Sequence, residues 1–329
     1  TKKKQNERST ERKSAEEDKE EENQTNTQMA NTRFVPWHSW EEWAFVRDAF
    51  TFLSSSSSSK SFGSFITSSR RSRFLRSATR REENTCEDEK NALPLPLPTT
   101  IVDDGKEDYP LMRRGAEFIR TTGGVGVGKA KNAAIQSLLD KDCDYIILVE
   151  DDMKFTGNLF QEYINAYKET GIHHFMFAYH GPANKAGISY GKPVPRKVID
   201  YGDNQIALNQ HCVGAVTFYT RESLEKVGLY DEGYTNAFEH VDHSYLLAKS
   251  NYSTPYWWWA DIANSLDFVV EQKCSEDSSA IRPRSDWQSN IQDAFGFFIN
   301  KHGVSPVQVP DTPVEEVVKT LKTIYNARS

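Results

Sequence analysis

From about residue 99 onward, short apolar runs alternate with segments whose apolar residues have helical spacing. Five successive apolar residues at 145–149 are typical of a buried strand, and residues 175–179 repeat this pattern. Between these two runs, apolar residues three and four positions apart predict an amphipathic helix that ends at Gly171. Strands that alternate with helices predict an α/β fold, with a mostly parallel sheet covered by helices on both faces.

The same reasoning predicts the other elements of this region. A glycine-rich loop at 123–128 leads into a predicted helix at about 131–140, and Thr156 is expected to cap the helix at 159–167. Ser285 and Gln288 predict a capping box for a helix that Gly303 closes. Strands are also predicted at 101–102, 198–208 and 212–219, and helices at 221–227 and about 313–326.

The first 95 residues have a different composition. Residues 1–33 are almost all polar or charged and cannot bury enough apolar surface to offset chain entropy. The spacing of Trp40, Trp43 and Val46 predicts a short tryptophan-rich helix near 37–53. A serine homopolymer at 54–59 and Leu-Pro pairs at 93–98 predict a solvated, extended linker. We expect a disordered, low-complexity tail over residues 1–95 and one globular domain over 96–329.

Charge and cysteine usage restrict the class of protein. The net charge of -7 argues against nucleic-acid binding by the main domain. No apolar run is long enough to span a bilayer, and the N-terminus lacks the apolar core of a secretion signal, so we expect a cytoplasmic protein. The four cysteines are too scattered for a zinc site or a disulfide framework, and buried, reduced thiols are expected: Cys86, Cys143, Cys212 and Cys274.

Two acidic clusters carry the candidate chemistry. The strand at 145–149 ends in Glu150, Asp151 and Asp152, and three adjacent carboxylates are best tolerated with a cation among them. The second cluster contains Glu239, His240, Asp242 and His243, with acids also at 231–232. It could bind a metal or supply a general base, whereas a solvated helix N-terminus would need neither.

Two other motifs have competing interpretations. Residues 123–129 have the spacing of a phosphate-binding P-loop that ends in Lys129, which makes a P-loop nucleotide hydrolase an alternative function. Ala130 stands where the magnesium-binding hydroxyl of a P-loop belongs, and glycines that only form a turn explain the motif equally well. The aromatic run at 256–259 could stack on sugar rings as an acceptor wall, or pack in the core.

In this order, the motifs at 101–105, 126–132, 148–152, 227–232 and 238–242 resemble an inverting, family 2-type glycosyltransferase of the GT-A fold, over about residues 100–275. The resemblance implies a nucleotide-diphosphate sugar as donor, a carbohydrate or other hydroxyl acceptor, and Mn²⁺ or Mg²⁺ as cofactor. It also implies residue roles. The expected metal ligands are Asp152, Asp151 and Glu150, with Asp151 also near the ribose. The expected nucleotide contacts are Asp103, Asp104, Lys129, Lys131 and Asn132.

The resemblance places the catalytic base at Glu239. Because His240 replaces the usual second acid of that motif, Asp242 and His240 remain further candidates for the base.

The chain departs from the family at its start, where the first strand and helix are missing. In their place, residues 33–53 resemble the N-terminal segment of a HEPN-type pre-rRNA processing endonuclease subunit. A fused or wrongly joined gene model would explain both features. A sheet without its first strand could be a catalytically inert remnant that acts as a binding or scaffold protein.

Overall fold

The computed structural model describes residues 49–55, 97–105, 116–180, 184–186, 191–271 and 285–325. Six strands form the main sheet: β1 Ala49–Ser55, β2 Thr99–Asp103, β3 Ala116–Arg120, β4 Tyr145–Glu150, β6 His174–Met176 and β9 Val216–Thr220. Two smaller sheets contain β7 Lys197–Asp200, β8 Gln205–Asn209 and β10 Trp259–Ile262, and β5 Met153–Phe155 with β11 Val269–Glu271. The described helices are α1 Val127–Asp140, α2 Leu159–Thr170, α3 Arg221–Val227, α4 Glu239–Lys249, α5 Trp287–His302 and α6 Val314–Ile324.

The main sheet has the order β3-β2-β1-β4-β9-β6. Its pairing corrects the prediction of a mostly parallel sheet, because only β2 and β3 pair in parallel and the other four neighbouring pairs are antiparallel. Since β1 and β9 run against their neighbours, β2, β3, β4 and β6 still point in one direction. Their carboxyl ends therefore lie along one edge of the sheet, where α/β proteins place their binding sites.

The centre of this sheet is occupied by β1, which comes from the segment predicted to be a tail. β1 lies between β2 and β4 and is antiparallel to both. Residues 49–53 are thus strand, and the prediction that they end a helix is wrong. The first strand of the family was expected to be missing from the sheet. β1 is found at the centre of the sheet instead, antiparallel to both of its neighbours. The remainder of the predicted tail and of the tryptophan-rich helix lies outside the described residues, as do Cys86 and Cys274.

Helices cover both faces of the sheet, as the sequence predicted. Successive residues of β4 point to opposite faces, so Ile147 and Val149 join one core cluster and Ile146 and Leu148 the other. The first cluster includes the apolar faces of α2, α5 and α6, and the second includes that of α1. Cys143 and Cys212 are buried and do not form a disulfide, as expected. Within the described segments, no helix combines the length and apolarity needed to cross a bilayer.

The sequence signals for helix ends predicted some of the helix bounds and caps correctly. Helix α3 has its predicted bounds, and Gly303 ends α5 in the left-handed conformation with φ 69°. Helix α2 is capped by Asn158, whose side chain accepts from the backbone N–H of Gln161, so the predicted cap at Thr156 is wrong. The predicted capping box of α5 is also absent, because its N-cap is Asp286 and no side-chain hydrogen bond caps it.

Candidate functional site

The candidate site lies at the edge of the main sheet where β2, β4 and β6 end. In the register of the sheet, Asp103 at the end of β2 faces Ala49, and Glu150 at the end of β4 faces Phe50, the next residue of β1. Both acidic strand ends therefore lie at the same edge. The loop that follows β6 leads to His180 at this edge as well, because β6 has the direction of β4.

A cluster of possible metal ligands forms here from three segments. Oxygen and nitrogen atoms of Asp152, His180 and Glu271 lie within 4.8 Å of one another. Asp152 and His180 are buried and Glu271 is half-buried. The pairing of β11 with β5 places Glu271 opposite Met153 and so beside Asp152. Sequence reasoning named Asp152 but missed the other two residues. Among the described residues, no such cluster includes Glu150 or Asp151.

The other two predicted metal ligands are also buried at this edge, but Glu150 has a different partner. The ammonium of Lys131 lies 3.4 Å from Oε1 of Glu150 and 3.0 Å from Oε1 of Glu239. Lys131 and Glu239 are 0% exposed. The two acidic clusters that the sequence predicted separately are therefore joined by one buried lysine, which came from a third motif.

Burial and neighbouring charges shift the pKa values of these three groups in different directions. Burial would lower the pKa of Lys131, but the facing carboxylates of Glu239 and Glu150 raise it. Burial would raise the pKa of Glu239, yet Lys131 and His240 hold it below its ordinary value. Burial raises the pKa of Glu150 to about 8, despite the more distant Lys131, and Asp152 adds to this increase. Lys131 thus stabilises the ionised form of Glu239 in particular.

Asp242, one of the candidate bases, serves as a structural anchor. Its carboxylate accepts hydrogen bonds from Tyr234 at 3.1 Å, from Lys301 at 2.9 Å and from His302 at 2.6 Å. The last two donors belong to α5, so Asp242 connects α4 to the C-terminal part of the domain. A carboxylate that is fully buried among three donors is poorly placed to receive a proton from a substrate.

Asp104 holds the glycine-rich loop in place. Its carboxylate accepts hydrogen bonds from the hydroxyl of Thr121 and from the backbone N–H groups of Val125 and Gly126, the latter two at 2.9 and 3.2 Å. The backbone N–H groups at 123, 124 and 127 are also bonded to protein oxygen atoms. A P-loop needs such groups free for phosphate oxygens. The geometry therefore argues against the P-loop hydrolase.

The remaining predicted nucleotide contacts are found at different places. Asn132 exchanges two hydrogen bonds of 2.9 Å with the backbone of Tyr230, so its amide holds the loop before α4. Lys129 is exposed and lies 3.9 Å from Glu232. Asp103 accepts from the N–H of Gly105 at 2.8 Å within its own turn. Of the predicted nucleotide contacts, Asp103 and Asp104 lie at the edge of the sheet where β2 ends.

The tryptophan run serves mainly to pack the domain. Trp258 and Trp259 are buried, and the guanidinium of Arg196 lies 3.7 Å from the Trp258 ring. The indole N–H of Trp257 donates to the carbonyl of Val309 at 2.8 Å. The alternative of core packing is thus confirmed for Trp258 and Trp259, and half-buried Trp257 is the one ring left for contact with an acceptor.

Comparison with known proteins relates the chain to one named enzyme class. A segment of 161 residues is 29% identical to the "Uncharacterized glycosyltransferase R363" of Acanthamoeba polyphaga mimivirus. The chain is a distant relative of that protein. The matched segment makes up 47% of this chain and 57% of the viral protein, so the chain spans little more than half of its length. No family model and no solved structure matches the chain.

Proposed function

We propose that the protein transfers a sugar from a nucleotide-diphosphate donor to an acceptor hydroxyl, with a divalent cation held by Asp152, His180 and Glu271. The observation that carries this proposal is the convergence of these three side chains at the sheet edge where the acidic strand β4 ends. The distant similarity to a named glycosyltransferase supports the same class of reaction.

The ligand set fits a cation suited to glycosyl transfer. The two carboxylates suit either Mn²⁺ or Mg²⁺, and the imidazole favours Mn²⁺ of the two because Mg²⁺ prefers oxygen ligands alone. Such a cation, when bound, neutralises the charge that develops on the departing diphosphate. The ammonium of Lys185 lies 3.8 Å from Glu271 and adds positive charge beside the ligands, where it can contact the same diphosphate. Asp103 and Asp151 remain the proposed contacts of the nucleoside.

The transfer also needs a group that accepts the proton of the acceptor hydroxyl. In an inverting reaction this base lies on the side of the sugar opposite the diphosphate. The cluster at the start of α4 is separate from the three proposed metal ligands and is connected to β4 through Lys131. This chemistry requires one group of residues for a cation and another for a base, and the separation of the two clusters supports the proposal.

Metal-dependent donor binding tests the proposal. Titration calorimetry on the full chain with UDP-glucose, UDP-N-acetylglucosamine, UDP-galactose and GDP-mannose should detect binding of at least one donor with Mn²⁺ and at least tenfold weaker binding without it. Asp152→Asn and His180→Asn should each weaken binding of Mn²⁺ alone at least tenfold, because each removes one ligand of three.

Asp142→Asn is the matched control for the charge change. Asp142 is exposed, lies in a left-handed turn that asparagine tolerates, and is not among the proposed ligands. It should bind Mn²⁺ and donor as the wild type does. If none of the four nucleotide sugars binds in the presence of Mn²⁺, the inert scaffold is the better interpretation.

A further inference from the structure

Three residues were candidates for the base, and the structure separates them by accessibility. Glu239 is fully buried and shares Oε1 between the ammonium of Lys131 and the ring of His240. The positive partner that lowers the pKa of Glu239 against the effect of burial also makes it a weaker base. Asp242 is surrounded by its three donors from the body of the domain. Neither carboxylate can easily reach a substrate hydroxyl.

The third candidate, His240, has a different environment. Its Nδ1 lies 3.3 Å from Oε1 of Glu239, which leaves Nε2 on the other side of the ring. Within the described segments, Nε2 forms no hydrogen bond. The His240 side chain is 10% exposed, whereas that of Glu239 is 0% exposed. An imidazole that gives one nitrogen to a buried carboxylate and keeps the other available is the usual arrangement of a histidine base.

The position of the His240 ring is set by two backbone features. A Cβ atom at Gly214 would lie 2.8 Å from Cγ of His240, so the ring occupies space that only glycine leaves open. Phe238, just before α4, has a φ of 63°, an uncommon conformation for an aromatic residue, and directs the first turn of the helix. The carbonyl of Ala215, next to Gly214, accepts from the N–H of Glu150 at 2.8 Å. The ring therefore lies beside the end of β4.

We propose that His240 is the general base of the proposed transfer, and that Glu239 and Lys131 are positioning residues which hold its Nδ1. This proposal rests on the proposed function. In the step, Nε2 of His240 takes the proton of the acceptor hydroxyl while the oxygen forms a bond to the anomeric carbon. The bond from that carbon to the diphosphate oxygen breaks, and its electron pair leaves with the nucleoside diphosphate. The imidazolium then returns its proton to solvent.

Charged and titratable groups around the ring agree with this role. Glu239 on the same helix stabilises the imidazolium, and Lys131 of α1 keeps Glu239 ionised. The thiol of Cys212 lies 4.0 Å from the His240 carbonyl, and burial raises its pKa to about 12, so it stays neutral. Ionised Glu239 is therefore the negative partner closest to the ring among the described residues.

The test compares His240→Asn with Glu239→Gln in the full chain. Asparagine can still donate a hydrogen bond to Glu239 but has no basic nitrogen, so it separates the structural role from the chemical one. With Mn²⁺ and the nucleotide sugar that binds best, release of nucleoside diphosphate to water is measured from pH 5 to 9, together with donor affinity. Water as the acceptor makes the assay independent of the natural acceptor.

For the wild type, we expect the rate to fall as the pH decreases, because a protonated base cannot accept the proton of the attacking hydroxyl. His240→Asn should keep donor affinity within about threefold, lose about 10²–10⁴-fold in rate, and lose this acid limb. Added imidazole should restore part of the rate of His240→Ala. Glu239→Gln should lose far less rate than His240→Asn and should keep the acid limb, because the basic nitrogen of His240 is still present.

The base is wrongly assigned if His240→Asn keeps the rate and the acid limb, or if Glu239→Gln binds donor but abolishes turnover. Those outcomes leave the proposed function intact, because donor binding and wild-type turnover are still seen. If the wild type binds no nucleotide sugar, or binds one without any turnover, the proposed function is wrong. The assignment of His240 as the base is then wrong as well.

Discussion

Lys131 is the residue that allows two carboxylates of the candidate site to be buried together. Replacement by methionine keeps most of the side-chain volume but leaves Glu239 and Glu150 without their shared cation. Removal of one partner from a buried ion pair typically costs about 3–5 kcal/mol. We expect Lys131→Met to lower the free energy of unfolding by about this amount in urea denaturation at pH 8. The matched control is Lys129→Met, two positions earlier on an exposed face of α1, which should change stability little.

The cost of Lys131→Met should also depend on pH. In the wild type the pKa of Glu239 lies below its unfolded value, so its stabilising contribution is present above that value and decreases as the pH falls. In the variant, burial acts without Lys131 and raises this pKa, so ionised Glu239 destabilises the fold at high pH. The difference between variant and wild type should therefore be smaller at pH 5 than at pH 8. An equal difference at both values would show that Lys131 acts through packing alone.

Sequence reasoning found most of these residues but not their relationships. Lys131, Glu150 and Glu239 were each named, yet their contacts join positions 19 and 108 residues apart, which apolar periodicity cannot reveal. His180 had a usable signal, because it directly follows the predicted strand at 175–179 and so had to emerge at an edge of the sheet. Glu271 had none, since it reaches Asp152 only through the pairing of β11 with β5.

At the scale of elements, the glycine-rich loop positions α1, the helix that carries Lys131. Gly126 has a φ of 99°, and a Cβ atom there would lie 2.7 Å from the carbonyl oxygen of Thr235. Gly126→Ala should therefore destabilise the protein by about 1–3 kcal/mol through both strain and overlap. Gly296→Ala is the opposite case, because this glycine lies inside α5 with open space around it. It should stabilise the protein by about 0.5–1 kcal/mol.

Thermal unfolding of the two glycine variants measures this contrast directly. A lower midpoint for Gly126→Ala and a higher one for Gly296→Ala are expected relative to the wild type. If Gly126→Ala leaves the midpoint unchanged or raises it, the loop tolerates a side chain and its glycines only form a turn. In that case the close approach to Thr235 does not position α1.

The elements themselves were more predictable than their directions. Apolar spacing located α1, α2, α3 and α6 because each buries an apolar face in one of the two core clusters. The same spacing contains no information on whether neighbouring strands run parallel, which depends on the path of the chain between them. Hence the alternation of strands with helices predicted the layers correctly, while four of the five pairs of the main sheet are antiparallel.

At the scale of the whole molecule, the sheet depends on a strand that the sequence assigned to a disordered tail. Five residues of β1 pair with β2 and six pair with β4, so this strand joins the two halves of the main sheet. Without it, the facing backbone groups of β2 and β4 lose their partners at the centre of the domain. Unpaired and buried backbone groups are among the most costly defects of a fold. The helical spacing of Trp40, Trp43 and Val46 before this strand and the serine run after it concealed this role.

Two truncations test whether β1 is part of the domain. Deletion of residues 1–41 leaves β1 in place, and this variant should keep a cooperative unfolding transition close to that of the full chain. Deletion of residues 1–96 removes β1, and this variant should lose the cooperative transition or aggregate, because two central strand edges become exposed. The first variant should bind Mn²⁺ and the second should not, since Asp152 lies two residues after the end of β4. Should the shorter variant unfold cooperatively at the temperature of the full chain, the domain would start at β2 and β1 would be dispensable.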